Sequence, residues 1–176
     1  MERLGPITRA LSFAAHKHRD QRRKGSEQAP YVNHVIAVLE LLVHEGGIDD
    51  PTVLVAAVLH DTVEDTETSL DELRAAFGAE VAAIVAEVSD DKTLKKEERK
   101  RLQIEHAPSL SPRARLVKLA DKTSNLRDVA DHPPAGWSLP RRQEYFDWAR
   151  AVVDGLRGTH ARLEAVFDAA YARRPL

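Results

Sequence analysis

The run Asp50-Pro51-Thr52-Val53-Leu54-Val55-Ala56-Ala57-Val58-Leu59-His60-Asp61 decides the fold class. Its middle is apolar and rich in valine, the composition of a buried strand as much as of a buried helix. Asp50 and Pro51 resolve the choice. An aspartate carboxylate accepts from an amide of the first helical turn, and proline fits the first helical position, where no backbone donor is needed. No alternation of polar and apolar residues follows, as a half-buried strand would require. The run is therefore predicted as a buried helix, ending in His60-Asp61-Thr62-Val63-Glu64-Asp65. On a helix His60 and Glu64 share one face and Asp61 and Asp65 the next, so an imidazole and three carboxylates project from about one turn. Charges beside such a run are costly to bury unless they are paired or hold a metal. The competing reading is a solvated C-terminal turn, and the rest of the chain decides between them.

Outward from this run the pattern stays helical. A helix is predicted from Pro6 to about Arg19, with His16 and His18 at the surface. A polar basic loop containing Arg22, Arg23, Lys24 and Gly25 follows. A second helix runs from about Tyr31 to His44 on a stripe of Val35, Val38, Leu39, Leu42 and Val43, with His34 in its first turn. Ser69 to Glu72 reads as a capping box, and Ala79 to Val88 as a short buried helix. Glu97 to His106 is a very polar helix whose Arg99, Lys100 and Arg101 read mostly as a solvated face. Ser111-Pro112 opens the next helix, where Asp121 follows an apolar pair and Asn125 comes one turn later. A long amphipathic helix with Tyr145 and a last one with Leu163 and Phe167 complete an all-α reading of roughly eight or nine helices, by pattern counting.

Composition narrows the function. A length of 176 residues suits one domain. There is no cysteine, so a metal site must use histidine and carboxylates. A formal net charge of −2 argues against broad binding to nucleic acid. No apolar run approaches a membrane span and the N-terminus lacks a signal-peptide pattern, which makes the cytoplasm the expected location.

The set His34, His60-Asp61 and Asp121, with Glu64-Asp65, resembles the HD-domain metallophosphohydrolases. Arg22-Arg-Lys24, Pro30-Tyr-Val-Asn-His34, Leu59-His-Asp-Thr-Val-Glu-Asp-Thr66, Lys118-Leu-Ala-Asp-Lys122 and Asn125-Leu-Arg127 resemble the hydrolase domain of the RelA/SpoT alarmone enzymes. Asp90-Asp-Lys-Thr-Leu94 and Glu98-Arg-Lys-Arg-Leu102 are similar to the stand-alone small hydrolases of the animal type. The resemblance spans roughly residues 5 to 157. It implies a single Mn²⁺ held by His34, His60, Asp61 and Asp121, a mixed donor set suited to first-row divalent ions generally. It implies acid-base work by Glu64 and Asp65, without choosing between them. The substrate would be guanosine tetra- or pentaphosphate, (p)ppGpp, losing its 3′-pyrophosphate to give GDP or GTP and so lowering alarmone levels in the stringent response. Arg23, Lys24, Lys96, Asn125 and Tyr145 would contact it. Residues 1–176 would form one HD-domain hydrolase without a synthetase or regulatory domain, and the oligomeric state stays open, a homodimer included.

Two departures stand out. Val35 follows His34 where the family usually has proline, and Thr123-Ser124 replace a pair that often ends in an aromatic residue. The small Ser124 is expected to enlarge or polarise the pocket. That keeps a second reading open, a phosphatase acting on another ribose-phosphorylated nucleotide such as NADPH. A third is a silent HD fold used as a nucleotide sensor, which would be expected to lack a ligand or a base.

Overall fold

The Asp50 carboxylate accepts from the Thr52 amide at 2.9 Å, and a helix follows from Pro51 to Leu59 as predicted. In the computed structural model, which describes residues 4–176, the elements in chain order are as follows. Helices α1 (Leu4–Lys17), α2 (Val32–Glu40), α3 (Pro51–Leu59), α4 (Thr62–Asp65) and α5 (Leu70–Phe77) build the first half. Helices α6 (Ala79–Val88), α7 (Lys96–His106), α8 (Pro112–Asp131), α9 (Leu139–Asp154) and α10 (Ala161–Tyr171) build the second. The described residues form no strand, only isolated bridges pairing Arg22 with Pro30 and Gly25 with Pro134.

The core is organised around α3. Every residue from Val53 to Leu59 is buried, and the helix packs against α1, α2, α6 and α8. Burial of each valine or leucine contributes about 1.5–3 kcal/mol. A helix buried on all sides has no polar face, so its charged groups gather at its end. Serine caps start α5 and α8. Ser69 Oγ accepts from the Glu72 amide at 3.1 Å and Ser111 Oγ from the Ala114 amide at 3.3 Å.

Three expectations change. The helix predicted to run into Glu64-Asp65 breaks at His60-Asp61, which adds one short helix to the count. His60 Nδ1 and Thr62 Oγ1 take the carbonyls of Ala57 and Leu59 at 2.7 Å each. Side chains that bond the last carbonyls compete with the helical ladder and end it. The second helix widens into a π-helical turn over Leu41–Gly46 and stops at Gly47, whose φ of +70° favours glycine. The extra winding turns Val43 out to the surface while Leu41 and Leu42 remain buried. His18, expected at the surface, is buried. Its Nδ1 lies 2.6 Å from Gln21 Oε1 and its ring 4.7 Å from that of Tyr31.

The basic loop is tied down. The Arg23 amide donates to Ala29 O at 2.8 Å and the Tyr31 amide to Gln21 O at 3.0 Å. A side chain at Gly25 would meet the His132 carbonyl oxygen at 2.8 Å, so glycine lets the loop press against the segment after α8.

Candidate active site

Four side chains from three parts of the chain meet at the end of α3. His34 comes from the first turn of α2, His60 and Asp61 from the α3–α4 break, and Asp121 from the middle of α8. His34, His60 and Asp121 offer ligand atoms all within 4.8 Å of one another. Asp61 Oδ2 lies 2.9 Å from His60 Nε2 and 3.7 Å from His34 Nε2. The Asp121 Oδ1 atom is 3.2 Å from His34 Nε2 and 3.5 Å from His60 Nε2.

The two imidazoles are set up to ligate. The Ala57 carbonyl can only accept, so His60 carries its Nδ1 proton there and leaves Nε2 as the free donor atom. Nε2 of both His34 and His60 is buried without a hydrogen-bond partner. Two orphaned nitrogens facing two carboxylates fit a divalent cation, and the chain carries a divalent-metal site here.

The electrostatics favour a neutral His34 and two ionised carboxylates, and they favour a second proton on His60, which a cation on Nε2 would displace. Burial lowers the pKa of His34, which keeps the imidazole neutral. Burial works against the Asp61 and Asp121 charges, yet both carboxyls are held below the usual range, Asp61 by His60 and Asp121 by Lys122 and the two imidazoles. Burial also opposes a proton on His60, but Asp61 and Asp121 overcome it and raise its pKa well above the ordinary value. Tyr31 donates its phenolic hydrogen to Asp61 Oδ2, and Lys122 Nζ sits 3.3 Å from Asp121 Oδ2.

Glu64 and Asp65 follow the break and bond to the 89–95 loop, with Glu64 still within electrostatic reach of Asp61. Glu64 Oε2 accepts from the Asp90 amide at 3.0 Å, and burial raises its pKa. Asp65 accepts from Gln21 Nε2 at 3.1 Å and from Lys92 Nζ at 2.6 Å.

A cleft of about 610 Å³ adjoins these groups. Arg23, Lys24, Lys96, Asn125 and Tyr145 all line it, together with His34 and Asp65. Asn125 links the cleft to the ligand cluster: it donates to Asp121 Oδ1 at 2.7 Å and accepts from Arg23 at 2.9 Å. Arg23 also pairs with Asp128. Burial pushes the Tyr145 hydroxyl up to about 12, so it stays protonated. Its ring stands between those of Trp137 and Trp148, at 5.5 Å and 5.4 Å.

Several contributors were missed in the sequence. Lys92 lines the cleft and binds Asp65; it lies within the Asp90-Asp-Lys-Thr-Leu94 motif, which was signal enough. Lys100, read as solvent-facing, lines the cleft and sits 4.8 Å from the Trp148 ring. Arg99 is half-buried, 3.8 Å from Glu64, whereas Arg101 is exposed and pairs with Glu98 and Glu105. Ser124 does not line the cleft. It is buried behind His34.

The profile of the HD-domain family matches residues 10–145. The chain is 57% identical to a Mus musculus protein named guanosine-3′,5′-bis(diphosphate) 3′-pyrophosphohydrolase MESH1, over 97% of this chain and 95% of that one. It is 54% identical to the Drosophila melanogaster protein of the same name, over 94% and 93% of the two chains. A solved structure described as a metazoan orthologue of SpoT that hydrolyses ppGpp superposes with a TM-score of 0.93 at 52% identity, covering 97% of this chain and 96% of that one. The Listeria monocytogenes protein lmo0812 shares the fold with a TM-score of 0.66 at 29% identity, over 83% and 98% of the two chains. A metal-binding cluster on such a helical scaffold defines an HD-domain protein, and this chain belongs to that family. Within it, the chain stands with the animal MESH1 group.

Proposed function

We propose that the chain is a (p)ppGpp 3′-pyrophosphohydrolase, giving GDP or GTP and pyrophosphate and so lowering alarmone levels. The observation that carries this is the pair of orphaned Nε2 atoms on His34 and His60, set beside a cleft lined by Arg23, Lys24, Lys92, Lys96 and Lys100. The near full-length identity to hydrolases of that name supports the same reading.

His34, His60, Asp61 and Asp121 would hold one Mn²⁺, which when bound supplies Lewis acidity that makes water a better nucleophile near neutral pH. The chain's own groups do the rest. The water oxygen attacks the phosphorus attached to the ribose 3′ oxygen, the P–O3′ bond breaks, and the 3′ oxygen takes up a proton. Glu64 and Asp65 supply the proton acceptor. Burial gives Glu64 a raised proton affinity, which suits a base working near neutral pH. Asp65 faces the cleft, held by Lys92 and Gln21. Arg23 offers a planar fork to phosphate, while Lys24 and Lys96 act as point charges. Asn125 is placed for the ribose side, and the Tyr145 ring for the nucleotide. Residues 1–176 act as one hydrolase domain in this reading, built on the single core around α3.

The test is to incubate purified protein with ppGpp and Mn²⁺ and separate the products, beside a chelator control and His60→Ala. GDP with pyrophosphate, lost in both controls, is expected. A protein that binds Mn²⁺ yet leaves ppGpp intact would overturn the substrate assignment, and NADPH would be tried next.

A further inference from the structure

The rings of His34 and His60 meet edge-on at the candidate metal centre, their centroids 5.4 Å apart. Each must present Nε2 without a proton to hold a cation. His60 achieves this within its own helix, through the Ala57 carbonyl. His34 has no such carbonyl. It lies in the first turn of α2, where the carbonyls of Pro30 and Tyr31 already accept from the amides of Asn33 and His34. Its Nδ1 lies instead 3.3 Å from the hydroxyl of Ser124, which follows Asp121 by one turn of α8. Both side chains are buried, so bulk water does not compete for that contact.

We propose that Ser124 is a positioning residue for the metal, its hydroxyl accepting the Nδ1 proton of His34 and fixing the tautomer whose bare Nε2 faces Asp61 and Asp121. This rests on the metal-site reading above. Helix α8 then serves the centre twice, directly through Asp121 and indirectly through Ser124. The hydroxyl can also rotate and donate to Nδ1, which would put the ring proton on Nε2, 3.2 Å from Asp121 Oδ1. A cation on Nε2 selects the accepting orientation, so the Ser124 contact and metal binding are linked.

The experiment measures Mn²⁺ affinity by competition with a fluorescent chelator for the wild type, Ser124→Ala and Ser124→Thr, with melting in EDTA as the folding control. Loss of an outer partner of a metal-binding histidine weakens affinity by about 10–100-fold. Ser124→Ala is expected to bind Mn²⁺ at least about tenfold more weakly while melting like the wild type in EDTA, and Ser124→Thr to recover most of the affinity. Wild-type affinity in Ser124→Ala would overturn the proposal, as would a folded Ser124→Thr no better than the alanine variant. A wild type that binds no Mn²⁺ would overturn the metal reading and this inference with it.

Discussion

A Tyr31→Phe substitution deletes one oxygen and leaves the ring. That hydroxyl donates to Asp61 Oδ2, the oxygen 2.9 Å from His60 Nε2. Burial, with Asp61 alongside, raises the tyrosine pKa well above its ordinary value, so it remains a donor throughout the neutral range. The ring keeps its contacts with His18 at 4.7 Å, His34 at 5.7 Å and the Arg23 guanidinium at 5.5 Å, so packing survives. A hydrogen bond to a charged group contributes about 1.5–3 kcal/mol. The Asp61 side chain retains 17% exposure, so water replaces part of what the phenol supplied, and the lower end applies. About 1.5 kcal/mol corresponds to roughly tenfold in a binding constant. Tyr31→Phe is therefore expected to weaken Mn²⁺ binding about tenfold, with turnover at saturating Mn²⁺ close to the wild type. The assay is chelator competition, backed by a titration of activity against Mn²⁺. An unchanged Mn²⁺ affinity would refute the idea that Tyr31 orients the Asp61 carboxylate.

Two further outcomes are expected. Mn²⁺ at about 100 times its Kd stabilises the folded protein by about 2.7 kcal/mol, a rise in Tm of about 5–10 °C for a chain of this size; His60→Ala should abolish that rise in a thermal-shift assay, and its survival would remove His60 from the ligand set. Lys92 Nζ lies 3.7 Å from Glu64 Oε1 and is 48% exposed, so water screens the pair, and its loss should cost the Glu64 carboxylate about 1 kcal/mol. Removing that cation raises the Glu64 pKa beyond the increase burial already causes, so the acid limb of the kcat/KM profile of Lys92→Met should move to higher pH by about 0.7 unit; a limb that stays or moves down would refute the role given to Glu64.

The helical class was legible because it is local chemistry. Asp50, Ser69 and Ser111 cap helices in the structure as their positions in the sequence announce, and a cap needs only a few neighbouring residues. The break at His60-Asp61 was not legible. A regular helix would have carried His60 into Glu64 and Asp65, but two side-chain bonds to the Ala57 and Leu59 carbonyls end it first. That choice depends on the tertiary setting, because His60 and Asp61 face His34 and Asp121 from other helices.

The sequence by itself determined which residue types are available and where the chain turns: all helices, no thiols, and histidines and acids at the ends of apolar runs. It also carried the motifs through which the chain resembles its family. Only the tertiary structure decided the company each group keeps. It sent Glu64 and Asp65 to the 89–95 loop, placed Lys92 and Lys100 on the cleft, buried His18 against Tyr31 and put Ser124 behind His34. The physical reason is range. Caps and periodicity act over a turn or two, whereas a buried charge is stabilised by partners far away in the chain, and those partners become neighbours only when the core closes.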